Sequence, residues 1–183
     1  STVDENRGTD SYYSEDGKQP ASVWLRGENM AEVSAFLGAE DGAIVSGKTV
    51  EDWFNKAVAP SGAGLGNAPR KDSVPGFDLT FCAPKSVSLL WGMGADSDVR
   101  GIVDEAHQAA VSQALDYLSE HASYTRKQVK EPAGKRLVVE KLAGISGVKY
   151  EHRTSRAGDP HVHSHVLLAN KQLCRDGKVR TLD

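Results

Sequence analysis

The 183-residue sequence has only two cysteines, Cys82 and Cys174, and no long apolar run. Two cysteines are too few for a disulfide framework, so a reducing compartment is the simpler setting. A membrane-spanning helix needs about 18 or more consecutive apolar residues, and none is present. The opening stretch, STVDENRGTDSYY, has neither the basic nor the apolar region of a secretory leader. Internal repeats and low-complexity tracts are missing too. A cytoplasmic protein without membrane insertion is expected, folded as one domain over residues 1–183.

Charge of one sign is scarce in each part of the chain. Residues 1–120 hold nine Lys/Arg against nineteen Asp/Glu, and residues 121–183 hold thirteen against six. The overall net charge of −3 therefore conceals a basic C-terminal third. Such a region suits a polyanion, although it equally suits an ordinary solvated face.

Periodicity predicts the elements. SVWLRG (22–27) is a short apolar piece. NMAEVSAFLG (29–38) has helical spacing closed by Gly38. TVEDWFNKAVA (49–59) reads as a helix with a capping-box-like start at Thr49 and Asp52. Residues 60–76, rich in Pro and Gly, read as a loop. FDLTF (77–81) alternates as a strand, with Asp78 and Thr80 on one face. APKSVSLLWGMG turns into a short helix ended by Gly92 and Gly94. Residues 96–122 form the longest helix, with an apolar stripe of Val99, Ile102, Val103, Ala106, Ala110, Leu115 and Leu118. Residues 136–143, 147–154 and 161–170 read as strands, and RDG (175–177) as a turn. Strands and a long helix without regular alternation predict an α+β fold with a mostly antiparallel sheet.

Four of the six histidines lie between 152 and 165. In a strand, residues i and i+2 share a face, so His163 and His165 point the same way. Two imidazoles so placed can share a metal ion, which then needs a third ligand. A hairpin through TSRAGDP would bring His152 beside them. His161 directly follows Pro160, where the strand begins, and is placed at the rim. Asp78 sits in an apolar strand and needs a partner if buried. It could orient a ligand histidine, take a proton from a nucleophile, or face solvent. Tyr12 and Tyr13 are either packing residues or nucleophiles activated by a nearby base and a metal.

The stretches GFDLTFCAPKSVSLL (76–90) and HRTSRAGDPHVHSHVLLAN (152–170) resemble the signatures of conjugative relaxases of the MobF class, in the HUH endonuclease superfamily. Cys82 stands where that signature usually has Ser. The resemblance implies a palm-like, five-stranded antiparallel sheet flanked by helices. It implies strand-specific nicking and rejoining of DNA at a plasmid transfer origin through a 5′-phosphotyrosine. The metal ligands would be His152, His163 and His165, holding Mg, Mn or Zn. Asp78 would act with Tyr12 and Tyr13 in catalysis, and Lys85, Lys149, Arg153 and Arg156 would hold phosphates. The partners would be single-stranded transfer-origin DNA and other relaxosome and secretion proteins. The relaxase domain of the family extends beyond both ends of such a segment. If the principal tyrosine lies elsewhere, a metal-containing DNA-binding fragment is the alternative; a rolling-circle replication initiator is the other.

Overall fold

The computed structural model describes Tyr13 and residues 20–94, 97–132 and 134–183. In chain order the elements are β1 (Ala21–Arg26), α1 (Met30–Leu37), β2 (Ile44–Val45), α2 (Gly47–Lys56), β3 (Gly76–Cys82), α3 (Lys85–Met93) and α4 (Ser97–His121). They continue with β4 (Tyr124–Glu131), β5 (Gly134–Lys141), β6 (Ile145–Thr154), β7 (Pro160–Ala169), β8 (Lys171–Leu173) and β9 (Val179–Thr181). Five strands form one sheet in the order β2–β1–β6–β7–β3. Every pairing in it is antiparallel. The expected α+β architecture with a flanked five-stranded sheet is therefore the one the chain adopts.

Both faces of the sheet are covered. Directly opposed residues of antiparallel strands share a face. Val148 lies opposite Leu167, and Val23 opposite Val148. Their face joins a core with Val33 and Leu37 of α1 and Val50, Trp53 and Phe54 of α2. The other face, through Trp24, Val166, Leu79 and Phe81, packs on Val111 and Leu115 of α4. The Trp24 indole lies in that second core and donates to the Leu167 carbonyl at 3.2 Å. β6 and β7 are thus central strands, buried on both sides over most of their length.

Several sequence-based boundaries shift for identifiable reasons. Helix α2 starts at Gly47, because Ser46 is the N-cap and its hydroxyl accepts from the Thr49 amide at 3.1 Å. The helix ends when Ala57 turns left-handed, at φ 55. Gly92 does not end α3, which runs to Met93. Gly92 instead permits contact with the start of β7: a Cβ there would lie 2.4 Å from Pro160 Cγ.

The stripe expected on α4 is also corrected. Ile102 is 66% exposed, and Ala106 and Ala110 are exposed as well. The buried row is Val103, His107, Val111, Leu115 and Ser119, at steps of four. Two polar members hid that row from a hydrophobicity pattern. The sequence reading also lacked β2, β4, β8 and β9. β4 and β5 form a separate two-stranded ribbon, and Leu137 and Val139 on it are 61% and 60% exposed.

Candidate functional site

The β6–β7 hairpin builds the site. Its turn closes through Ser155 N–H to Asp159 O at 2.8 Å and Gly158 N–H to Ser155 O at 2.9 Å. Gly158 takes φ 85, which favours glycine. The resulting register sets His152 directly opposite His163, and Tyr150 opposite His165. One nitrogen from each of His152, His163 and His165 lies within 4.8 Å of the others. The rings of His152 and His163 stack, with centroids 4.9 Å apart, while His165 stands edge-on to both.

Ring orientation matters as much as proximity. His165 Nδ1 lies 3.2 Å from both oxygens of Asp78, whose side chain is only 2% exposed. His163 Nδ1 lies 2.9 Å from the His161 carbonyl. An oxygen acceptor at Nδ1 holds the proton there and leaves the Nε2 lone pair for a cation. Burial pushes His163 down to about 4, so this imidazole is neutral near pH 7. The three histidines therefore fit a divalent ion, and the set could hold one.

Asp78 joins the histidines to a tyrosine. The Tyr13 hydroxyl donates to Asp78 Oδ2 at 3.1 Å. Burial raises the Asp78 carboxyl, but the hydrogen bond from His165, then those from Tyr13 and Thr80, outweigh it and hold it below the usual carboxylate range. The solvent-facing alternative for Asp78 is thereby excluded, because the carboxylate is buried and bonded. Tyr13 itself is 1% exposed, stacked on Tyr150 at 5.8 Å and beside His165 at 5.1 Å. Tyr12 lies outside the described residues. Thr80 was missed by the sequence reading: its hydroxyl is 3.3 Å from both Asp78 Oδ1 and His165 Nδ1. Its position two residues after Asp78 on an alternating strand was the available signal.

A cavity of about 240 Å³ opens over the histidines. His161 lines it together with the triad, its ring centroid 4.5 Å from that of His163. Arg156, Thr154 and Ser155 complete the wall. Of the four expected phosphate-binding cations, Arg156 alone lines this cavity. Lys85 is exposed at the start of α3 and donates to the Pro160 carbonyl at 3.1 Å.

The expectation for Lys149 and Arg153 is corrected. Both occupy odd positions of β6 and project to the face opposite His152. Arg153 pairs with Asp104 of α4 at 2.6 Å, and Lys149 bonds Gln108 of α4 at 2.6 Å and Glu151 at 2.8 Å. A one-residue step reverses the face of a strand, and that period sends them to the helix side. Trp24 on that face is likewise core, at 2% exposure.

Comparison with known proteins now bears on this arrangement. The family model described as TrwC relaxase matches residues 2–183. The chain belongs to the TrwC relaxase family. Among curated relatives, the multifunctional conjugation protein TraI of Escherichia coli is 33% identical over 147 residues, covering 78% of this chain and 8% of TraI. TraI of strain K12 is 32% identical over the same length. Among solved structures, the conjugative relaxase TrwC in its metal-bound complex with oriT DNA has a TM-score of 0.68 at 27% identity. That match covers 94% of this chain and 56% of TrwC. A metal-free complex of TrwC with oriT DNA also has a TM-score of 0.68 at 27% identity, and covers 94% and 55%. A copper-bound TrwC complex has a TM-score of 0.65 at 28% identity, and covers 97% and 55%. The chain thus spans about half the length of these relaxase structures and a small part of TraI. Its fold and five-stranded antiparallel sheet match those of the relaxase structures.

Proposed function

We propose that this TrwC-family domain nicks and rejoins one DNA strand at a plasmid transfer origin, in the cytoplasm, with a divalent metal held by His152, His163 and His165. The observation that carries the reading is the set of three convergent imidazoles, one of them tied through Asp78 to a tyrosine hydroxyl. The solved TrwC structures hold oriT DNA, and two of them are metal-bound. The substrate proposed for this chain is the corresponding single-stranded DNA, and other proteins of the transfer machinery are its proposed partners.

The chemistry is a transesterification. A tyrosine oxygen forms a bond to the scissile phosphorus, and the bond from phosphorus to the 3′ oxygen breaks. The phenol proton passes to a base, and the departing 3′ oxygen takes up a proton. Because the phosphate ester is retained on the tyrosine, the reverse attack by a 3′ hydroxyl rejoins a strand. When bound, the metal offsets the negative charge that develops on the phosphate oxygens.

The protein's own residues divide the remaining work. His163 and His165 present Nε2 because His161 and Asp78 hold their other nitrogens. Arg156 is placed on the cavity wall to pair with a phosphate. Asp78 is the base nearest to a tyrosine hydroxyl. Tyr13 is buried with its hydroxyl held on Asp78, so we assign the attack to the Tyr12–Tyr13 pair, with Asp78 as the base beside it.

The test is incubation of the chain with transfer-origin oligonucleotides, with and without Mn²⁺, read by intact mass. A covalent DNA adduct that maps to Tyr12 or Tyr13 is expected, and it should vanish when both are changed to Phe. Metal-dependent DNA binding without any adduct would instead favour a binding fragment and sink the nicking assignment.

A further inference from the structure

The helix side of β7 holds a buried imidazole that the chemistry above does not use. His107 of α4 is 8% exposed, within the otherwise mainly apolar row of Val103, Val111 and Leu115. Its Nε2 lies 2.9 Å from the hydroxyl of Ser164, which is itself fully buried. Ser164 stands between His163 and His165 and points the opposite way, as strand alternation requires.

His107 does not act alone. Asp104 reaches Arg153 at 2.6 Å, and Gln108 reaches Lys149 at 2.6 Å. Positions 104, 107 and 108 share one helix face, at i, i+3 and i+4. From that single face, polar contacts run to both strands that carry the histidines. Arg153 adjoins His152, and Ser164 separates His163 from His165. A polar side chain in a packed interface is unfavourable unless bonded, so each contact holds in a narrow range of helix–strand geometry. Burial, with the Arg153 charge nearby, moves His107 below the ordinary imidazole range, consistent with a neutral ring bonded to a hydroxyl.

We propose that His107 is a positioning residue: its hydrogen bond to Ser164 fixes the tilt of β7 between His163 and His165, and so sets how those two imidazoles meet the metal. The proposal rests on the reading of the triad as a metal site. Groups hydrogen-bonded directly to a metal ligand typically change affinity by about 10–100-fold, and His107, acting one residue further away through Ser164, is expected at the low end of that range.

The experiment is calorimetric titration of Mn²⁺ into the wild-type chain and into His107→Ala, His107→Gln, Ser164→Ala and Leu115→Ala. Each is paired with a thermal melt without metal and with the visible spectrum of the Co²⁺-loaded form. His107→Ala and Ser164→Ala are expected to weaken Mn²⁺ binding about tenfold and to shift the Co²⁺ bands. His107→Gln, which keeps a hydrogen-bonding group near Ser164, should stay within about threefold of wild type. Leu115→Ala should lower the melting temperature and leave both metal readouts unchanged. If His107→Ala does not fold, Ser164→Ala carries the test. Mn²⁺ affinity within twofold of wild type in the folded His107 and Ser164 variants, with only the melting temperature lowered, would overturn the proposal. A wild-type chain that takes up no Mn²⁺ would overturn it together with the triad assignment.

Discussion

The two faces of the β6–β7 hairpin make opposite uses of polar residues. On one face His152, His163 and His165 converge beneath an open cavity, and the deeply buried Asp78 carboxylate beside them is spoken for by His165, Thr80 and Tyr13. On the other, Lys149, Glu151, Arg153 and Ser164 meet α4 and are paired within the protein. The same residue types thus serve a ligand on one side and the fold on the other. Among the described residues, α4 covers the second face, whereas a cavity opens over the histidines. Over the histidines lies the cavity, and acceptors at Nδ1 leave the Nε2 atoms of His163 and His165 for a cation. Over the odd-numbered residues α4 is packed close enough to satisfy each charge.

This contrast is open to direct attack. The largest expected effect is on the cavity face. His163→Ala removes the central imidazole and should abolish stoichiometric metal uptake, read by metal analysis after dialysis; full retention would refute the ligand set. Next, on the helix face, Leu115→Ala should cost about 2–5 kcal/mol in denaturant unfolding, because it opens a cavity in a packed core. Metal affinity should not follow it, which separates core stability from the site. Asp78→Asn comes third. It retains the shape but removes the carboxylate that fixes the His165 proton, and metal binding should weaken about 10-fold or more. Unchanged affinity in Asp78→Asn would show that Thr80 suffices to orient the ring.

Smaller effects sharpen the comparison further. Arg156→Ala should weaken single-stranded DNA binding and lower the salt dependence of that binding by about one unit of slope, the signature of one lost phosphate contact. Arg153→Ala should leave that slope unchanged, since Asp104 and Glu151 already engage the guanidinium. Equal changes in slope from both would erase the distinction between the faces. Smallest of all, Val139→Ser on the exposed ribbon should move stability by no more than about 0.5 kcal/mol in a thermal melt.

Much of the site was legible because strand chemistry is local. An H-x-H pair on an alternating strand must share a face, and Gly158 and Pro160 mark a turn that returns the chain beside it. His152, His163 and His165 could be brought together by those rules alone. The elements that escaped notice depend on partners distant in sequence. His107 interrupts the apolar pattern of α4 and is buried because Ser164, 57 residues later, accepts or supplies its hydrogen bond. β2, at two residues, and β8 and β9, at three each, are too short to show a period. Lys149 and Arg153 were expected to hold phosphates, although alternation alone sends them to the face opposite His152.

By itself, then, the order of residues determined the strand pattern, the tight turn and the sharing of a face by the histidines, since each follows from a backbone period of two and from the conformational freedom of glycine. Only the tertiary structure decided which polar groups remain open to a ligand. Asp78 became a partner of His165 when β3 paired with β7, Tyr13 became core when its ring stacked on Tyr150, and Arg153 was neutralised when α4 packed against β6. Burial and charge pairing arise between segments far apart in the chain, and no local period encodes them.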